Sequence, residues 1–475
     1  MRKPLYSTLG AALAAIMALA TACNSKEDPH QAGTADYSGV AVKAFSLKED
    51  KTVLNNIDSV FFSIDLANAT IFNADSLPVD TKVNALAVSM STDACSVCEF
   101  HMKTKAGEDT VVNYLTDPDT HLNFTSPVTL KITSYSGTIS REYSVKVNVH
   151  TVAPDSLYWG ETLRRPLPVT TSTQRTVKFN DQAYNLAIAG GVPVMSRSTD
   201  VYAGRWETLN TNLPADADIT SLTASETALY ILDRNGSLLT SADGADWQPT
   251  GQTGWESISA PYLDGVLGLK TDGARLTHVA YPQGTTTAAD PTFPVSGYSQ
   301  PASLSTKWAT MPQVMIAGGV TADGQLSGAT WAYDGKKWAK IGGGLPPAQG
   351  YSIASYTLVE TDTLSWQAER TPALVALGGR NADGVLRDVY VSRDMGMTWV
   401  KGYNMLQLPK YIPSTWGADM LVFERTATIT PKAVKPITEW EVPTLFLFGG
   451  YTAQGALSQY YWQGTINSLR FKPLQ

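Results

Sequence analysis

From Gly39 onward the apolar residues come in short runs that alternate with polar ones or stop at turn residues, as in VFFSIDL (60–66), VNALAVSM (83–90), PVTLKITS (127–134) and YSVKVNVH (143–150). A period of two places one set of side chains on a single face of an extended chain, so each run predicts a half-buried strand. Leu130, Ile132 and Ser134 make one such face; Tyr143, Val145, Val147 and Val149 make another. No stretch beyond about 12 residues keeps the 3.6-residue period of a helix, and Gly, Pro, Asn, Asp or Ser interrupts the pattern about every 8 to 12 residues. The chain is predicted to be all-β.

The strands fall into two groups. Residues 37–153 hold six or seven, enough for a β-sandwich of about 100 residues, and Ala153-Pro154-Asp155 marks a boundary. Residues 154–475 instead show internal repetition. MIAGGVTADGQLSGATW from Met315, VALGGRNADGVLRDVYV from Val375 and FLFGGYTAQGALSQYYW from Phe446 align without gaps over their first part. Each ends an apolar strand in a glycine pair (Gly318-Gly319, Gly378-Gly379, Gly449-Gly450), and Leu326, Leu386 and Leu457 each follow eight residues after the first glycine. A fourth copy from Leu186 keeps Gly190-Gly191 and has Tyr202 downstream. Paired glycines at a strand end permit a tight bend and a close backbone approach, and repetition on this scale implies stacked units sharing a core.

Apolar residues before Gly-Gly with a tyrosine and tryptophan after it, as in Tyr333 and Trp338, resemble kelch repeats. Ser392, Asp394, Gly396 and Trp399 in SRDMGMTW are similar to an Asp-box, and Ser241, Asp243 and Trp247 in SADGADW to a shortened one. The resemblance implies a β-propeller of six blades near 175–210, 217–250, 255–283, 300–342, 350–402 and 415–473, with seven blades as the alternative. Leu157-Tyr158-Trp159 is a spare strand able to close the ring beside the last blade, and the region from Pro282 to Gln300 reads as an insertion. The segment 37–153 resembles the immunoglobulin-like modules that lift a functional domain off a membrane.

The N-terminus adds a location. Arg2 and Lys3 precede an apolar run, Leu9 to Ala20, too short for a comfortable membrane span, and small residues lead to Cys23. This resembles a lipoprotein signal, with Ala20 where leucine is usual. It implies a signal peptide at 1–22, lipidation of Cys23, and a flexible tether at 23–36 whose Glu27 and Asp28 resemble a surface-export signal of Bacteroidota-type outer-membrane lipoproteins. The expected location is the outer membrane, facing outward, with the membrane as a partner through the lipid. With 36 basic against 43 acidic residues the net charge is −7, and the chain lacks the basic clusters that nucleic acid requires. The whole arrangement is similar to Bacteroidota lipoproteins of unknown function.

Candidate chemistry is sparse. Cys95 and Cys98 form a CxxC inside the sandwich; with only three cysteines in the chain a second zinc-ligand pair is missing, so a local disulfide or loop staple is expected. No metal site or cofactor is predicted. Galactose-oxidase-like enzymes share the kelch architecture but need copper ligands and a cysteine, whereas this propeller has the single histidine His278 and no cysteine. Sialidases need an arginine triad and an aromatic-Arg-aliphatic-Pro motif; Leu163-Arg164-Arg165-Pro166 keeps only part of it, and Arg205, Arg275, Arg380, Arg387 and Arg425 are scattered among blades. No G-x-S-x-G, H-E-x-x-H or P-loop occurs. The expectation is a non-catalytic propeller binding a protein or glycan partner, with Tyr298, Trp308, Tyr351 and Trp416 as candidate surface aromatics, for each of which a place in the core is the favoured reading. The alternative is a carbohydrate-active enzyme, glycoside hydrolase or sialidase-like, whose catalytic groups are dispersed over several blades.

Overall fold

A computed structural model describes residues 38–73, 76–151, 156–273, 275–307, 309–428 and 439–472. Strand makes up 54% and helix 2%, so the chain is all-β as the alternation implied. The predicted signal peptide, Cys23 and the tether lie outside the described residues.

In the N-terminal unit one sheet pairs Val42–Leu47 with Val88–Thr92. The other runs in spatial order Ser63–Asp65, Thr70–Phe72, Ser140–Lys146, Val128–Ser134, Cys95–Lys103 and Asp109–Asn113. The alternating residues do what their period requires: Leu130, Ile132, Tyr143 and Val145 are buried with Phe45, Leu47 and Phe100 in one core. Tyr143 carries its hydroxyl into that core because it donates to the Val40 carbonyl at 3.0 Å.

The expected Cys95–Cys98 staple is not formed. Both are free cysteines on the extended strand Cys95–Lys103, not in the loop that a short bridge needs for its ends to fold back on each other. Cys98 faces the core, where burial first and the neighbouring Cys95 second push its thiol up to about 12, so it packs as a small neutral side chain.

Six antiparallel sheets of the second unit are arranged around an axis, the first five laid down from the inside outward. Blade 1 spans Gln174–Thr208, blade 2 Ala217–Pro249, blade 3 Trp255–Ala288, blade 4 Ala302–Gly342 and blade 5 Gln349–Lys401. Blade 6 takes three strands from Asp419–Ile466 and its fourth from Leu157–Pro166 at the start of the domain. Arg164 pairs with Trp462, Trp159 with Gly464 and Leu157 with Ile466, so the chain's first propeller strand locks its last blade. A Cβ on Gly464 would lie 2.7 Å from the Trp159 ring; glycine there lets the buried indole seat.

The last strand, Leu469–Lys472, does not complete blade 6. It pairs in parallel with Val359–Asp362, the outer reach of a long blade 5 hairpin formed by Gln349–Asp362 and Gln367–Asn381. That hairpin's tip touches the sandwich: Trp366 Nε1 donates to the Asn56 carbonyl at 3.1 Å, Asn56 Nδ2 donates to the Leu364 carbonyl at 2.6 Å, and the Trp366 ring packs on the sandwich core. The His150 ring meets Phe471 at 5.4 Å beside it.

Strand alternation sorts the turns onto two faces. Turns between second and third strands, with the four glycine pairs, share one face with the blade-to-blade connections; the remaining hairpins, including the Asp394 and Asp243 turns and the tip that meets the sandwich, share the other. All eight paired glycines have positive φ. At Gly378 and Gly318 crowding adds to the requirement, since a Cβ would approach the Thr415 carbonyl oxygen to 2.4 Å and the Ala348 carbonyl oxygen to 2.7 Å.

Candidate functional site

The two aspartate turns act on the packing between blades. Asp394 accepts from the Thr398 amide at 2.9 Å and the Thr398 hydroxyl at 2.6 Å, while Ser392 Oγ donates to Asp394 at 2.8 Å and accepts from the Gly396 amide at 2.8 Å. The turn so fixed drives Trp399 into the seam with blade 4, where its Nε1 donates to Thr330 Oγ1 at 2.8 Å. In blade 2, Asp243 accepts from the Ala245 and Asp246 amides at 2.9 and 3.0 Å, and Trp247 is 3% exposed among blade 1 side chains that include Tyr184 and Met195. These residues build the ring and do not line the two clefts described below.

On the axis, near the glycine face, polar side chains form a buried hydrogen-bonded network. Asp419 at the start of the blade 6 inner strand is 2% exposed; it pairs with Arg175 Nη1 at 2.8 Å and accepts from the Thr176 amide at 2.7 Å and Gln174 Nε2 at 3.1 Å. Asn185 extends the network, donating to Gln174 Oε1 at 2.7 Å and Thr176 Oγ1 at 2.9 Å. Burial pushes the Asp419 carboxyl above its ordinary range, opposed by the Arg175 guanidinium and the hydrogen bonds from the Thr176 amide and Gln174.

The connection from blade 3 to blade 4 then stoppers this end. Tyr298 donates to the Ile258 carbonyl at 3.0 Å, and burial raises its pKa against the pull of Ser257 and Ser259. Gln300 accepts from the Met420 amide at 2.6 Å and donates to the Met420 carbonyl on blade 6. The region expected as an insertion therefore supplies the outer strand of blade 3, Thr286–Ala288, and the axial stopper. Tyr298 is turned inward and not outward as a surface aromatic. Tyr351 takes the core place favoured for it: it is 1% exposed, with its hydroxyl donating to the Pro346 carbonyl at 2.7 Å. Trp416 is half-buried against Tyr451 with ring centroids 5.1 Å apart, and Trp308 lies outside the described residues.

Among the described residues the opposite end is open. Two adjoining clefts of about 460 and 580 Å³ share Asp181, Tyr202 and Phe423 and lie over the seam between blades 6 and 1. The inner one reaches Ser355, Lys178 and Glu424 on the inner strands of blades 5, 1 and 6; the outer one reaches Asp200 and Arg205 in the blade 1 turn. Lys178 Nζ lies 3.1 Å from Asp181 and 4.9 Å from the Phe423 ring centroid, and Arg205 Nη2 is 2.6 Å from Asp200. The Ala203 amide and then Arg205 hold the Asp200 carboxyl below its usual value. Tyr202 is anchored edge-on to Phe446 at 5.1 Å. Sequence reading missed this cleft because its residues come from three blades and share no motif.

The model described as the DUF6242 beta propeller domain matches residues 153–474, and that of the DUF6242 N-terminal domain matches residues 38–147. The chain belongs to the DUF6242 family. No curated protein matches it. In this DUF6242 chain the arginines considered for a carboxylate clamp are dispersed. Arg164 lies over Tyr460 at 4.4 Å on the outer rim, Arg380 lies over Trp416 at 5.7 Å, and Arg387 donates to the Ile412 carbonyl at 2.9 Å within the blade 5 to blade 6 connection. Arg205 serves Asp200, Arg275 is exposed on blade 3, and the Arg425 side chain lies outside the described ones. The motif Leu163-Arg164-Arg165-Pro166 belongs to the ring-closing strand. His278 packs against Phe293 at 4.5 Å, and burial pushes it down to about 4 despite nearby Asp290, so the DUF6242 propeller holds it as a neutral core imidazole. Among the described residues no three His, Cys, Asp or Glu side chains gather as metal ligands.

Proposed function

We propose that this protein is a non-catalytic, lipid-anchored protein of the outer membrane that displays its kelch- and Asp-box-like propeller at the cell surface to hold a protein or glycan partner. The observation that carries the reading is the asymmetry of the axis. Tyr298 and Gln300 fill its glycine-face end with hydrogen bonds between blades, while the sandwich-side end opens into the two polar clefts around Asp181, Tyr202 and Phe423. Clefts of several hundred cubic ångströms with fixed polar groups suit a ligand of a few residues or sugar units. Dispersal of the arginines over separate blades and local partners favours binding over sialidase chemistry.

Two experiments test the reading. Cys23→Ser should move the protein out of the membrane fraction, because the acyl chains contribute about 0.8 kcal/mol per buried methylene; unchanged processing and fractionation would refute the anchor. A screen of the full chain against glycans and peptides, following both binding and product release, should give retention without turnover. Turnover abolished by a carboxylate-to-amide change in the cleft would establish the enzyme alternative.

A further inference from the structure

We infer that the sandwich-side cleft takes an uncharged, polyhydroxylated ligand, a neutral oligosaccharide, with Lys178, Asp181, Asp200 and Arg205 bonding its hydroxyls. This rests on the binding reading above and names the ligand class of that same site.

The argument begins with charge. Among the described residues each cation lining the cleft already has a carboxylate: Lys178 has Asp181 and Arg205 has Asp200. Glu424 then leaves the lining with a surplus negative charge. A phosphate, sulfate or uronate needs cations that are not already neutralised, so among the described lining residues a polyanion meets no compensation and is repelled by Glu424. Neutral hydroxyls have the opposite requirement. They need donors and acceptors held at fixed positions, and an ion pair supplies both while restraining each partner.

The restraint is visible in the backbone. Asp200 accepts from the Ala203 amide at 2.9 Å as well as pairing with Arg205, so its carboxylate is fixed from two sides. Asn180 and Asp181 stand at φ of 48° and 56° in a two-residue hairpin, which holds the Asp181 carboxylate, 91% exposed, at the rim. Beneath them Phe423 is buried and Tyr202 half-buried, an apolar floor for the C–H face of a sugar ring. Ser198, Thr199 and Gln182 complete a lining in which polar groups outnumber apolar ones. Such a lining favours hydroxyl-rich ligands over the apolar anchors of most peptides.

The test is calorimetric titration of the full chain in detergent with neutral gluco-, manno- and xylo-oligosaccharides, set beside sulfated and uronate-bearing oligosaccharides and a mixed peptide library. Saturable binding of at least one neutral oligosaccharide is expected. Asp181→Asn and Arg205→Gln should each weaken it at least tenfold with an unchanged melting temperature, since both side chains are exposed and Asn tolerates positive φ. A sulfated, uronate or peptide ligand that binds instead, and is lost in the same variants, overturns the ligand class while leaving the cleft as the binding site. Neutral-glycan binding that both variants retain overturns the placement in this cleft. Absence of binding to every probe overturns the inference.

Discussion

Asp419 and Arg175 meet at 2.8 Å across the seam where the last blade of the ring touches the first. They lie 244 residues apart in sequence, and the same seam is held on its outer side by the pairing of Leu157–Pro166 with Tyr460–Ile466. The ring is therefore closed twice: near the axis by a buried charge pair with its hydrogen bonds, and at the rim by a borrowed strand. Closure stacks the face of the last blade on that of the first and leaves only the short inner and outer edges of each blade.

Asp419→Asn should destabilise the protein by about 3 kcal/mol, the lower end for removing one partner of a buried pair, because Arg175 keeps some contact with solvent. Denaturant unfolding measures it, and a change within error would mean that the pair is dispensable. The pH dependence has a defined sign. Because burial raises the native pKa of Asp419 above its unfolded value, the native state takes up that proton first on acidification. The stability difference between wild type and Asp419→Asn should thus move in favour of wild type as pH falls through the native pKa.

Trp399→Ala should cost about 3–5 kcal/mol, the range for truncating a large buried aromatic. The indole fills the seam between blades 4 and 5 and donates to Thr330. Trp399→Phe keeps most of the ring volume and should cost clearly less. Thermal unfolding of the pair separates packing from hydrogen bonding; equal losses would assign the whole effect to the hydrogen bond.

His278 predicts a loss of stability on acidification. Its native pKa lies near 4 against an ordinary 6.5, so between those values the unfolded chain accepts a proton that the folded one refuses. The shift amounts to about 3 kcal/mol, present above pH 6.5 and lost as pH falls to 4. His278→Gln removes this titration. Unfolding curves of both proteins at pH 7 and pH 4 should show the wild-type advantage shrinking by about that amount, and a constant difference would show that His278 titrates normally in the fold.

Gly464→Val places a side chain where the Trp159 ring lies 2.7 Å from the position of a Cβ. Overpacking of this kind costs about 1–3 kcal/mol, and here it should fall on the ring-closing strand. Limited proteolysis should then cut near residue 156 faster than in wild type while the blade 2 core stays protected. Unchanged cleavage would show that the closing strand tolerates the bulk.

Much of this was legible in local pattern. Period-two alternation gave the strands around Leu130 and Tyr143, the glycine pairs gave the repeat, and the turns at Asp243 and Asp394 gave the inter-blade position of Trp247 and Trp399, because those signals act over a few residues of backbone. Leu157-Tyr158-Trp159 could be read as a closing strand since it had no other sheet to join. What depended on distant parts of the chain was not legible. Tyr298 and Gln300 turn inward to stopper the axis because blades 3 and 6 present carbonyl and amide groups there, and Leu469–Lys472 leaves its own blade for blade 5 because the Leu157–Pro166 strand already occupies the edge. The sequence by itself determined the all-β class, the repeat and the turn chemistry. Only the tertiary structure decided which end of the axis stays open and that the charged blade 1 turns share a cleft with Phe423 and Glu424, because blades 1 and 6 become neighbours only when the ring closes.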